Sequence, residues 1–288
     1  MRPLKNLIVG CGDIGLRLAA RLQQAGEPVT GVVRSPSSAA RLRAQRIDAL
    51  TLDLDHQAPA DAEQVYWLAP PPSTGDRDPR LQRWLHGLAS SPRKIVYLST
   101  SGVYGDCEGR WIDEDEPLKP QTDRGRRRLD AERMLAALPA NGSSRYCVLR
   151  VPGIYGPGRL PVERLRRGLP VVRDVDDPAQ RRWTNRIHAE DLADAVLAAM
   201  QRGKHAAAYN ASDGHPSTMS DYFGRCARLL GLPEPPQVSL DEARSALSPA
   251  LLSFLEESKR LRNNRMLEDL HVQLRYPDIA SGLPSCLA

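Results

Sequence analysis

Short apolar runs alternate with helix-periodic stretches along the first half of the chain. The run that starts at Leu4 ends at Gly10, and Ile14–Ala25 then carries Leu16, Leu18, Ala19 and Leu22 on one helical face. Gly26 fits the position just past that helix. Pro28–Val33 reads as a second strand, Ser38–Gln45 as a second helix and Ala49–Leu54 as a third strand. Gln64–Leu68 is a fourth strand, stopped at Ala69-Pro70-Pro71-Pro72 because proline cannot extend a central ladder. A helix over Asp78–Leu88, a strand over Lys94–Ser99, a long helix over Gln121–Leu138 and a strand over Tyr146–Arg150 complete six alternations. The pattern predicts an α/β chain with a doubly wound parallel sheet and right-handed crossovers.

Beyond Val151 the pattern loosens into glycine, proline and arginine with short apolar runs. Ala189–Gln201 is a clear helix, His205–Ala211 reads as a last sheet strand, and Met219–Leu230 is helical again. Pro233-Glu234-Pro235-Pro236 reads as a rigid linker, and Ser239–Asp269 as helical up to a turn at Tyr276-Pro277. The expected division is a nucleotide-binding domain over residues 1–157 plus about 187–211. A smaller interleaved cap, 158–186 and 212–288, would cover the carboxyl edge of the sheet, where open α/β sheets bind ligands.

Composition narrows the partners. Hydrophobic residues make up 41% and charged residues 26% of the chain, with no run of 18 apolar residues, so no membrane span is expected. The first strand begins too early to leave room for a signal peptide, which points to a cytoplasmic protein. Five scattered cysteines without a Cys-x-x-Cys argue against a disulfide framework or a metal site. The net charge of +5 suits a small anionic substrate. With two phenylalanines and no basic-aromatic stacking pattern, nucleic acid is the poorer partner.

Candidate chemistry begins at Gly10, Gly12 and Gly15, a Gly-x-Gly-x-x-Gly turn between the first strand and helix. Such a turn binds a dinucleotide pyrophosphate on free backbone N–H groups, here with Asp13 and Ile14, and marks a Rossmann sheet. At the end of the second strand, where NAD sites place an acid, stand Arg34 and Ser35. A fixed cation there suits a 2′-phosphate, so NADP(H) is favoured, with NAD(H) the alternative. Asp53 is either an adenine contact or a helix cap.

Three further segments carry a resemblance. Tyr97-Leu98-Ser99-Thr100-Ser101-Gly102-Val103-Tyr104-Gly105-Asp106, Leu149–Gly158 and Arg186–Ala193 resemble, in order, motifs of the extended short-chain dehydrogenases. That group comprises the NAD-dependent epimerases and dehydratases of sugar nucleotides. The resemblance implies cofactor contacts at Leu68, Ala69, Pro70, Ser99, Arg128 and Pro152, and a hydroxyl-orienting role for Thr100. It also implies a possible homodimer. The family's proton-transfer pair, Tyr-x-x-x-Lys, falls on Arg124 and Arg128, although Gly125 and Glu132 keep their places. Arginine stays protonated at pH 7 and cannot act as general acid or base. Arg124 would instead hold an anionic group, and Arg128 a nicotinamide ribose. Tyr104 and Tyr155 either replace the missing tyrosine or pack structurally. Among the arginines at 159, 164, 166, 167, 181, 182 and 186, Arg186 is the first candidate for a substrate diphosphate. His188 is a ligand contact or a helix cap. The chain thus reads as an atypical NAD(P)-dependent oxidoreductase or epimerase, or else as a dinucleotide-binding sensor without turnover.

Overall fold

A computed structural model of the chain describes residues 3–139, 144–177, 181–246 and 257–287. Its centre is β1 (Leu4–Val9), with Leu7, Ile8 and Val9 fully buried. Helix α1 (Asp13–Gln24), β2 (Val29–Val33), α2 (Pro36–Ala44), β3 (Asp48–Thr51), β4 (Ala62–Trp67), α3 (Pro79–Gly87) and β5 (Lys94–Thr100) follow. Next come β6 (Trp111–Ile112), α4 (Asp123–Ala136) and β7 (Arg145–Val151). Strands buried on both faces read as apolar runs, as Leu7–Val9, Val65–Trp67, Ile95–Leu98 and Tyr146–Leu149 do within the central strands.

Seven strands form one parallel sheet in the order β12-β7-β5-β4-β1-β2-β3, where β12 is Ala207–Asn210. The direction of building reverses between β1 and β4, which opens the crevice at their carboxyl ends. One face is filled by α1, α2 and α6 (Ala189–Arg202), the other by α3 and α4. Helix starts are set by side chains: Ser35 caps α2 with Pro36 behind it, Asp78 caps α3, and Thr122 caps α4. The Ser35 cap and the proline start α2 two residues before the periodicity does.

The rest of the chain is built from short pieces. These are β8 (Gly153–Tyr155), α5 (Val162–Arg166), β9 (Val171–Val172), β10 (Trp183–Thr184), β11 (Arg186–His188), β13 (Ser217–Thr218), α7 (Met219–Leu230), β14 (Gln237–Val238) and α8 (Leu240–Ala246). After them come β15 (Arg260–Leu261), α9 (Asn264–Leu270) and α10 (Ile279–Gly282). Parallel pairs β8–β11, β9–β14 and β6–β15 knit distant segments together. A separate apolar cluster of Tyr155, Leu165, Val171, Tyr222, Phe223, Ile279 and Leu283 forms the cap.

Two expectations change. Ser239–Asp269 is not one helix: α8 ends at Ala246, residues 247–256 lie outside the described residues, and 257–263 is extended through β15 before α9 starts. The region from 212 onward is also not all cap. Met266, Leu270 and Val272 join the core beneath α6, against the main sheet. Among the described residues no helix is long and apolar enough to cross a membrane.

Candidate functional site

The turn after β1 is shaped by its glycines. Gly10 has φ +84°, and a Cβ there would stand 2.5 Å from the backbone N and Cα of Ala69, so only glycine fits. The N–H groups of Gly10 and Cys11 both bond Val32 O, lacing the turn to β2. Gly12 caps α1 without a side chain, and a Cβ on it would meet nothing within 4 Å. The first helical bond runs from Leu16 N to Gly12 O. The N–H groups of Asp13, Ile14 and Gly15 are the first-turn donors of α1, without carbonyl partners in the helix, a geometry that fits a pyrophosphate. The Asp13 carboxylate is held by Arg17 at 3.1 Å and by Arg159.

The flanking residues divide. Leu68 and Ala69 both donate to Val9 O at 2.8 Å, folding the loop after β4 over the turn toward Pro70. Arg34 is exposed at the end of β2 and makes no ion pair among the described residues. Ser35 closes the first turn of α2. The Asp53 carboxylate accepts the Asp55 N–H at 3.1 Å in a turn, and no helix begins there for it to cap. Arg128 turns inward: its Nη1 donates to Leu98 O (2.7 Å), Tyr97 Oη (3.1 Å) and Ala69 O (3.3 Å). It pins the loop after β4 to β5.

Beyond this turn a cavity of about 340 Å³ opens between the carboxyl edge and the cap. It brings together Thr100, Arg124, Pro152 and Arg186 from the predicted set, with Arg159 and Tyr222. Thr100 Oγ1 accepts the Gly102 N–H at 3.2 Å, and Arg124 Nη2 reaches it at 3.5 Å. Arg186 is buried, yet it makes no ion pair among the described residues, and the buried Asp213 carboxylate acts on it only through space. Its guanidinium lies 3.7 Å over the Tyr222 ring, Nη2 bonds Met219 Sδ, and Nε has no partner. Burial pulls its pKa below the usual arginine value. A buried cation of this kind is completed by an anion.

Besides the residues around the glycine turn, four more predicted residues lie outside this cavity. Tyr104 is buried, donating to Asn210 Oδ1 (2.8 Å) and accepting from Arg150 Nη1 (3.0 Å); burial raises its pKa far from neutrality. Tyr155 is buried against Gly282, where even a Cβ would overlap it, and donates to Asp278 O. Both tyrosines pack structurally. Ser99 donates to Glu132 inside the same polar network that holds Arg150. His188 caps α6 by accepting the Glu190 N–H, stacks 4.0 Å from Tyr276, and is pushed down to about 4 by burial.

The cavity also holds residues that sequence reasoning passed over: Asn185, Glu257 and Lys259. The alternation Glu257-Ser258-Lys259 was the available signal, hidden within a stretch read as helix.

Comparison with known proteins agrees with this geometry. Residues 80–212 match the NAD dependent epimerase/dehydratase family, and residues 6–65 match ketopantoate reductase PanE/ApbA. Protein YeeZ of Escherichia coli (strain K12) is 30% identical over 95% of this chain and 97% of its own. The structure of a functionally unknown conserved protein from Silicibacter pomeroyi DSS is 34% identical, with a TM-score of 0.86 over 98% of both chains. MoeE5 in complex with UDP-glucose and NAD shares the fold, with a TM-score of 0.75 and 23% identity over 98% of this chain and 97% of that one. Taken with the seven-stranded sheet and its glycine turn, these matches show that the chain belongs to the NAD-dependent epimerase/dehydratase family.

Proposed function

We propose that the protein is an NAD(P)-dependent oxidoreductase or epimerase acting on a hydroxyl or carbonyl of a nucleotide-linked sugar. The observation that carries this reading is Arg186, a buried guanidinium with no ion pair among the described residues, in the same cavity as Thr100. An anionic diphosphate completes Arg186, and Thr100 then orients a sugar oxygen at the other end. The similarity to a fold that holds UDP-glucose and NAD supports the same substrate class. A nicotinamide dinucleotide bound at Gly10–Gly15 would supply hydride acceptor and donor chemistry. We further propose that NADP(H) is preferred, because Arg34 stands at the end of β2 where an acid would select NAD(H).

A sensor without turnover is the second reading, favoured by arginine at both 124 and 128. Fluorescence titration with NADPH and NADH, followed by absorbance at 340 nm and chromatography of the sugar-nucleotide products with a panel of UDP- and dTDP-hexoses, decides between them. The enzyme reading expects turnover, weaker sugar-nucleotide binding in Arg186→Met and a lost NADPH preference in Arg34→Glu. Equal affinity for both dinucleotides in the wild type refutes the Arg34 argument, and binding with no turnover establishes the sensor.

A further inference from the structure

One wall of the cavity comes from the far end of the chain. Glu257 and Lys259 lie two residues apart on an extended segment, so both project to the same side. Ser258 points the other way, its hydroxyl accepting the Trp183 N–H at 2.9 Å. The segment is fixed by its main chain. Ser258 N donates to Asp106 Oδ1 (2.7 Å), and Ser258 O accepts from Cys107 and Gly109. Asn185 donates to Lys259 O (2.9 Å) and accepts from Leu261 N (2.8 Å).

Lys259 Nζ donates to Glu257 Oε2 at 2.6 Å, with side-chain exposures of 6% and 13%. Glu257 Oε1 has no hydrogen-bond partner among the described residues. The pair stands beside Thr100. A Cβ placed on Gly102 would lie 3.6 Å from Thr100 Oγ1 and 3.9 Å from Glu257 Oε2, so a group seated above Gly102 touches both.

The other ionisable groups of the wall do not exchange protons near neutrality. Arg124, Arg159 and Arg186 remain guanidinium ions. Tyr222 lies under the Arg186 guanidinium and is kept protonated by burial.

We propose that Glu257, held by Lys259, exchanges the proton of the substrate hydroxyl beside Thr100, replacing the tyrosine–lysine pair absent at 124 and 128. The inference rests on the activity proposed above. In the oxidative direction the substrate O–H bond breaks and its proton goes to the Glu257 carboxylate. The O–H electron pair becomes the second C–O bond as the C–H pair leaves as hydride to a nicotinamide dinucleotide. Reduction runs the same transfers backward. Lys259 is a positioning residue: its bond to Oε2 holds the carboxylate beside Gly102 and Thr100.

The test is turnover of a UDP-hexose panel by wild type, Glu257→Gln, Glu257→Gly, Lys259→Met and Lys259→Arg, with calorimetric binding of UDP and UDP-glucose to the dinucleotide-free protein. Glu257→Gln is expected to lower kcat by about 10²–10⁴ while KM and UDP affinity stay within about threefold. Formate is expected to restore part of the activity of Glu257→Gly, and Lys259→Arg most of what Lys259→Met loses. Without dinucleotide, Glu257→Gly is expected to cut the UDP-glucose advantage over UDP by about tenfold, the loss of one hydrogen bond to a charged acceptor. Turnover that survives Glu257→Gln within fivefold overturns this inference and leaves the proposed activity standing. Loss of UDP binding together with thermal stability in Glu257→Gln also overturns it, since the pair is then a structural prop. No turnover by the wild type overturns the proposed activity itself.

Discussion

Tyr104→Phe separates a structural tyrosine from a catalytic one. The substitution removes a hydroxyl that donates to Asn210 Oδ1 and accepts from Arg150 Nη1. Arg150 loses little: Nη1 still donates to Glu114 O at 3.0 Å, Nε and Nη2 keep Glu132, and the ring stays 5.0 Å from the guanidinium. Asn210 carries the damage, because its Oδ1 has no other donor among the described residues and the residue is fully buried. One unsatisfied buried amide oxygen costs about 1–3 kcal/mol. For a chain of 288 residues the unfolding entropy is about 0.6 kcal/mol/K, so Tm falls by about 2–5 °C. Arg150→Met is the harsher control: it strands the buried Glu132 carboxylate and costs about 3–5 kcal/mol. Thermal melts by circular dichroism, run beside dinucleotide titrations and hexose turnover, read both quantities. Tyr104→Phe should melt earlier yet bind and turn over as the wild type does. A hundredfold loss of turnover at unchanged Tm would refute this assignment and return Tyr104 to the chemistry.

Gly10→Ala and Gly12→Ala should fail in different ways. The first drives a Cβ into the Ala69 backbone and destabilises the protein, whereas the second meets open space, melts within about 2 °C of wild type and loses dinucleotide affinity by obstructing the helix N-terminus; equal melting losses would show that the space before Gly12 is not a ligand site. Asp213 is raised to about 7, chiefly by burial, with one oxygen unpaired. The folded state therefore holds a proton that the unfolded chain releases near pH 4, and stability relative to Asp213→Asn should fall from about pH 4 to about pH 7 and stay level above. Urea unfolding across that range checks it, and a flat difference curve rules it out.

The sheet and the glycine turn were legible because central parallel strands must be apolar on both faces and a tight approach such as Gly10 to Ala69 admits one residue type. Helix starts were less legible, since Ser35 acts through a single cap bond that periodicity does not register. Tyr104 and Tyr155 could not be sorted from the sequence. Both follow strand ends near the carboxyl edge, and only the packing shows their hydroxyls turned toward Asn210 and the Asp278 carbonyl. His188 was open between two roles, and the Glu190 N–H decides for the cap. Glu257 and Lys259 were missed for a physical reason. A strand of two residues, β15, is stabilised by Asn185 and by β6 rather than by any pattern of its own.

Asn185 joins β10 to β11, so the junction that presents Arg186 also grips the segment 257–261 that carries Glu257 and Lys259. The machinery of this chain is therefore divided between two heritable modules. One is the sheet with its glycine turn, and the other is the wall segment 257–261, which adds no strand to that sheet. A lineage built this way can trade one set of reactive groups for another by varying the wall, while its hold on the dinucleotide passes down unaltered.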